Sequence, residues 1–229
     1  MKLYQMPAKG ASGQEFEPQR VDYSAPEAGG YLGGVQAGFP LWFAVWTLGR
    51  MGADASDAWR AWHIGMRGSQ RRFLGYDLGR PFPKHYRDGF SRTTNVDGTP
   101  FDGVAASWSQ TIDADGEAHL TLTGLPAGLL LSTGDYVGLR WDAAGLPAGN
   151  MVRRTVARLR GPGVANAAGT WTGIVEPPLP PLVPAGAIAH LDRPSCVMAL
   201  VSGETKLGSI DRRLAIGGGR IVALQDLRA

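Results

Sequence analysis

Glycine and proline punctuate this chain so densely that it favours short elements joined by tight turns. There are 33 glycines and 16 prolines among 229 residues, about a fifth of the sequence. They follow no fixed Gly-X-Y period, which excludes a collagen-like helix. Their share also stays below the ~25–30% of low-complexity disorder. Apolar residues make up 44%, and a chain this long buries on the order of 70% of its unfolded surface. It therefore needs neither a disulfide nor a metal to fold. Its length gives one or two domains. Many short strands between Gly and Pro breaks indicate a mainly β protein.

The breaks set out the elements in order. Residues 1–13 hold small and polar residues and read as a flexible N-terminal arm. A strand over Gln14–Tyr23 must lie at a sheet edge, because Pro18 cannot donate to a central ladder. Ser24–Glu27 turns, and Gly29–Gln36 forms a glycine-softened strand. Leu41–Leu48 is nearly all apolar, which predicts a strand covered on both faces. One helix stands out over residues 54–67. Asp54 caps it, Ala55, Ala58, Trp59, Trp62 and Met66 share one face, and Gly68 follows its end. A strand over Arg71–Asp77 comes next.

The texture changes at residue 93. Asp-Gly pairs at Asp97-Gly98 and Asp115-Gly116 are hairpin signals. They separate strands expected at 103–112, 118–122, 136–141, 151–159 and 170–175, a spacing that suits a small barrel or sandwich. Pro177–Pro184 is a stiff connector, read as a linker rather than a PxxP ligand. Strands return at 187–191, 195–200 and 220–226, the last after the turn Gly217-Gly218-Gly219. This predicts a discontinuous first domain, 14–92 with 186–229, and an inserted domain at 93–185.

Few residues suggest chemistry. Cys196 is the one cysteine, so an intramolecular disulfide and a cysteine-rich metal site are excluded. It lies in an apolar run and reads as a buried small hydrophobe. His63, His85, His119 and His190 stand in no HExxH and in no triad order. There is no GxxxxGK[ST] and no GxSxG. Asp113-x-Asp115-Gly116 begins like a calcium loop but lacks the later ligands, so it reads as a hairpin. No catalytic, cofactor-binding or metal-binding residue is assigned. Basic charge is mostly arginine, 19 against 4 lysines, for a net charge of +3. The groups Arg67, Arg71, Arg72 and Arg153, Arg154, Arg158, Arg160 read as solvated or interface arginines rather than a nucleic-acid stripe. No signal peptide and no membrane-length apolar run is evident, which suggests a soluble chain made in a reducing cytoplasm.

Three stretches together resemble a known family. They are Phe39-Pro40-Leu41-Trp42; the helix Asp57–Trp62 followed by Met66–Asp77; and Gly134-Asp135-Tyr136-Val137-Gly138-Leu139 with the later Val175-Glu176-Pro177. This order is similar to the distal tail proteins of long-tailed, non-contractile bacteriophages (siphophages). It spans roughly residues 14 to 201, with no clear match before residue 14 or after Leu207. The resemblance implies a tail-tube-like β-sandwich with one flanking helix and a second β domain. It implies a structural virion protein, not an enzyme, assembled in the host cytoplasm into a homohexameric ring at the tail tip. Its partners would be itself, the tail tube protein and the hub or baseplate proteins. DNA would pass only in transit, through a polar lumen, with Arg67, Arg71 and Arg72 turned towards protein.

Two rivals remain at this stage. A carbohydrate- or host-receptor-binding module would use Trp108, Trp141 and Trp171 as exposed faces for sugar rings. A tail-tip hydrolase would need paired carboxylates in a cleft, and the sequence alone pairs neither Glu117 nor Glu176 with anything.

Overall fold

A computed structural model describes residues 2–7, 9–26, 29–30, 32–210 and 216–227. Parts of the expected arm (1 and 8), of the turn after Ser24 (27), of the strand 29–36 (31) and of the C-terminal segment (211–215, 228 and 229) lie outside the described residues. The protein is mainly β with one α-helix, as its composition suggests.

One six-stranded sheet is assembled from distant parts of the chain. Its order is Leu3–Gln5, Arg72–Gly75, Cys196–Leu200, Gly219–Gln225, Leu41–Leu48, Ala11–Gln19. All neighbours are antiparallel except Leu3–Gln5, which runs parallel to Arg72–Gly75. Ala11–Gln19 is an edge strand, and Pro18 sits in it opposite Trp42. The edge tolerates the missing donor.

The expected flexible arm is therefore corrected: residues 3–5 and 11–13 are strand. Met6 is buried in the core, and the Trp59 indole donates to the Lys9 carbonyl at 2.7 Å. These contacts hold the segment against the sheet, which its small and polar residues did not suggest.

The helix spans Ala53–Met66. Gly52 is its N-cap and no side chain caps it, so Asp54 contributes only as an acid in the first turn. Arg67 closes it in the left-handed region at φ 51°. Trp59 and Met66 are fully buried, with Ser56 beside them; Ala58, expected on this face, is exposed. Trp62 meets Phe73 of the sheet edge-to-face at 5.0 Å and Trp59 at 5.5 Å. The helix thus covers the sheet face that carries Trp42, Ala44, Trp46 and Leu48. The opposite face is only partly covered: Leu41, Phe43, Ala199 and Leu224 are half-buried and Thr47 is exposed. The expectation that Leu41–Leu48 is covered on both faces holds only in part there: Val45 and its cross-strand partner Val222 are buried, while Leu41, Phe43 and Thr47 are not.

A second six-stranded sheet runs Ile188–His190, Tyr136–Trp141, Arg153–Leu159, Trp171–Glu176, Ala118–Thr123, Ser107–Ile112. It curls around its own apolar cluster, which includes Leu120, Leu122, Val137 and Leu139. Its two edges meet where Val104 bridges His190, with Ala105 N–H to Ala189 O at 3.0 Å and Leu191 N–H to Gly103 O at 2.7 Å. Ile188–His190 was expected in the first domain. It belongs to this sheet because the curl needs one more strand beside Tyr136–Trp141 to reach the segment before Ser107.

The outer face of this curled sheet covers the rest of the first sheet's buried face. Tyr136 and Val156 join the Trp42 cluster. The Trp42 indole donates to the Val156 carbonyl at 2.8 Å, and Gln225 Nε2 donates to Thr155 Oγ1 at 3.1 Å.

Candidate interaction surfaces

The hairpin Asp22–Pro26 with Leu32–Gln36 stands apart from both sheets and pairs only with itself. Residues 22–26 and 34–39 are all exposed. Tyr23 lies directly opposite Val35, and the two are 68% and 70% exposed, with Val21 and Phe39 exposed at its base. Directly opposed apolar side chains stabilise a hairpin modestly, yet an isolated two-stranded hairpin is marginal in water. Among the described residues its base is tied down: Arg20 donates to Gln36 Oε1 at 2.9 Å and ion-pairs with Glu176.

Next to the hairpin base lies a charged groove of about 670 Å³ where the two sheets meet. Arg158 grips Glu17 with both amino groups, Nη1 to Oε1 at 2.7 Å, and lies 5.8 Å over the Trp42 ring. The Tyr136 hydroxyl donates to Asp77 Oδ2 at 3.0 Å. Burial, reinforced by the Asp77 carboxylate, raises the Tyr136 pKa, so it stays a donor. Glu17, Arg158, Arg160 and Glu176 are each ion-paired, and the arrangement fastens one sheet to the other rather than presenting a nucleophile and base.

The singled-out residues are dispersed. His63 is half-buried on the helix, and burial lowers its pKa. His85 is exposed. Cys196 is fully buried, which pushes its thiol pKa far up and leaves it an inert apolar group. His119 does meet two acids: Asp113, Glu117 and His119 offer ligand atoms within 4.8 Å of one another. Asp113 Oδ1 caps the turn through the Asp115 and Glu117 N–H groups, and Glu117 ion-pairs with Arg160. The hydrogen bond from His119 holds the Asp113 carboxyl below its usual range. A cation there would have to displace Arg160, so the cluster is explained as a braced hairpin turn.

The rival site residues are otherwise engaged. Trp141 and Trp171 lie in the curled sheet's core, and Trp108 packs against it with its indole bonded to the Ala187 carbonyl at 2.8 Å. Trp141 and Trp171 therefore present no face to a sugar. Glu117 and Glu176 are each held by an arginine, Arg160 and Arg20.

The arginine groups divide. Arg71 donates to the Gly65 carbonyl at 2.7 Å and lies over the Tyr4 ring, and Arg72 pairs with Asp226 at 2.6 Å. Both bind their own chain, so of the three expected to face partners only Arg67 is exposed. Arg154 lies beside Arg140, a residue that sequence reading passed over because strand register, not spacing, brings the two together. The hairpin's Tyr23 and Val35 were likewise missed; their signal was a pair of apolar residues flanking a glycine-rich turn.

No protein-family model matches the chain, and no curated protein matches it. Among the described residues, no helix is long and apolar enough to cross a membrane.

Proposed function

We propose that this chain is a structural ring subunit of a phage tail tip, a distal tail protein that joins tail tube to tip around a channel crossed by DNA. The order of motifs from Phe39 to Pro180 suggests the family. The observation that carries the reading is the hairpin with Tyr23 and Val35 bared to solvent. Exposed apolar pairs on a marginal element are a liability in a monomer and an adhesive in an assembly. The first sheet supplies matching acceptors: the open edge strand Ala11–Gln19, and the half-covered face with a groove of about 480 Å³, where Leu41, Ala199, Leu224 and Leu227 lie beside Ser69, Gln225 and the Arg72–Asp226 pair. A hairpin from one subunit seated on the next makes a head-to-tail contact, and such contacts close into a ring when the rotation fits.

Sedimentation of wild type against the double variant Tyr23→Ser, Val35→Ser tests this. Both sites are exposed, so each change should alter folding stability by no more than about 0.5 kcal/mol. Loss of the assembled species with an unchanged melting temperature is expected. Equal assembly by both proteins would remove the hairpin from the account.

A further inference from the structure

Several arginines around the two sheets have an acid: Arg20 with Glu176, Arg72 with Asp226, Arg158 with Glu17, Arg160 with Glu117. One directly opposed pair of arginines lacks one. Arg140 and Arg154 are direct partners across antiparallel strands, and among the described residues neither makes an ion pair. Opposed side chains at such positions start about 4.5–5.5 Å apart at Cβ, and like charges there repel. Both are half-buried, and the Arg140 Nε is buried with no acceptor.

The surroundings are polar and built. Arg154 Nη1 lies 3.4 Å from the Ser195 hydroxyl, and Ser195 is 2% exposed. His190 flanks the pair from the adjacent strand, opposite Gly138, and is 3% exposed. Its Nδ1 faces the Asp192 carbonyl at 2.9 Å, which fixes the proton there and the ring in place. Asp142, two residues from Arg140, accepts from the Gly149 and Met151 N–H groups, and Asp192 is paired with Arg193. The fold thus holds two guanidiniums and a hydroxyl together, and among the described residues no carboxylate forms an ion pair with either guanidinium.

We propose that Arg140, Arg154 and Ser195 form a binding site for a tetrahedral oxyanion of the phosphate class. Each guanidinium offers a planar fork of N–H donors matched to two oxygens of such an ion, and the hydroxyl offers a further donor. A dianion cancels the repulsion between the two arginines. Partial burial strengthens the attraction relative to an exposed pair. The inference does not depend on the ring. The same chemistry comes from free phosphate or from a nucleic-acid phosphodiester.

The test titrates the purified chain with inorganic phosphate, and separately with a short single-stranded DNA oligonucleotide, against sodium chloride of equal ionic strength. Saturable phosphate binding is expected, with a melting temperature about 3–6 °C higher at tenfold the dissociation constant. Arg140→Gln and Arg154→Gln should each weaken binding by about tenfold or more, while melting no lower than wild type in chloride. Should a variant fail to fold, side-chain Nε resonances of Arg140 and Arg154 in the wild type must still shift on titration. Binding by the oligonucleotide alone, lost in both variants, supports the site with a phosphodiester as its source. A rise no larger than chloride gives with neither ligand bound, or binding unchanged in both variants, overturns the proposal.

Discussion

Trp42 is the side chain on which the two sheets converge, and replacing it by alanine measures how firmly they are joined. Its ring is fully buried, stacked on Phe16 at 4.8 Å and edge-on to Tyr136 at 5.7 Å. Its indole N–H satisfies the Val156 carbonyl on the other sheet. Truncating a buried tryptophan costs about 3–5 kcal/mol through lost transfer energy and the cavity left behind. In a domain of this size each kcal/mol lowers the melting temperature by about 2–4 °C, so a drop of about 6–20 °C is expected. Trp42→Phe separates the contributions. It keeps most of the stack and removes the donor, which leaves a buried carbonyl unpaired at about 1–3 kcal/mol. Scanning calorimetry on the three proteins checks both values. A Trp42→Ala protein melting within about 2 °C of wild type would refute the packing. A Trp42→Phe protein as unstable as the alanine variant would refute the division between ring and hydrogen bond.

Two further outcomes follow from the same junction. A Cβ at Gly138 would lie 2.7 Å from the His190 ring and 2.9 Å from the Pro194 Cα, so Gly138→Ala should cost about 1–3 kcal/mol in urea unfolding; a neutral result would mean the ring and the Pro194 backbone yield freely. Burial, with smaller repulsion from Arg140 and Arg154 and opposed by the Asp192 hydrogen bond and charge, lowers the His190 pKa to about 4. The unfolded chain then binds the proton more readily, so the contribution of His190 to stability is intact above about pH 6.5 and falls as pH drops towards 4. The loss is on the order of 3 kcal/mol. The difference in unfolding free energy between wild type and His190→Gln should shrink over that interval, and a pH-independent difference would contradict the assignment.

Much of the fold was legible in the sequence because its signals are local. The apolar run Leu41–Leu48, the tryptophan face of the helix and the Asp-Gly turns each declare an element through composition and period, and each is found within a few residues of its expected place. What failed depended on partners far along the chain. Leu3–Gln5 is strand because Arg72–Gly75 offers it an edge, and no pattern in three residues reveals that. Ile188–His190 changes sheets because the curl must close on Val104. Trp108, Trp141 and Trp171 looked equally suited to a sugar or a core, and only three-dimensional packing buries Trp141 and Trp171 and lays Trp108 against the same core. The Arg140–Arg154 pair is a product of register: the residues are fourteen apart in sequence and directly opposed in space.

The ring is tested most directly by electron microscopy of the purified full-length chain, with its mass measured under native conditions over a range of concentrations. Six copies of a 24.3 kDa chain, seen end-on as a six-fold ring with an open centre, are the predicted result. A particle that stays monomeric at every concentration, or that closes with three-fold symmetry, would contradict it.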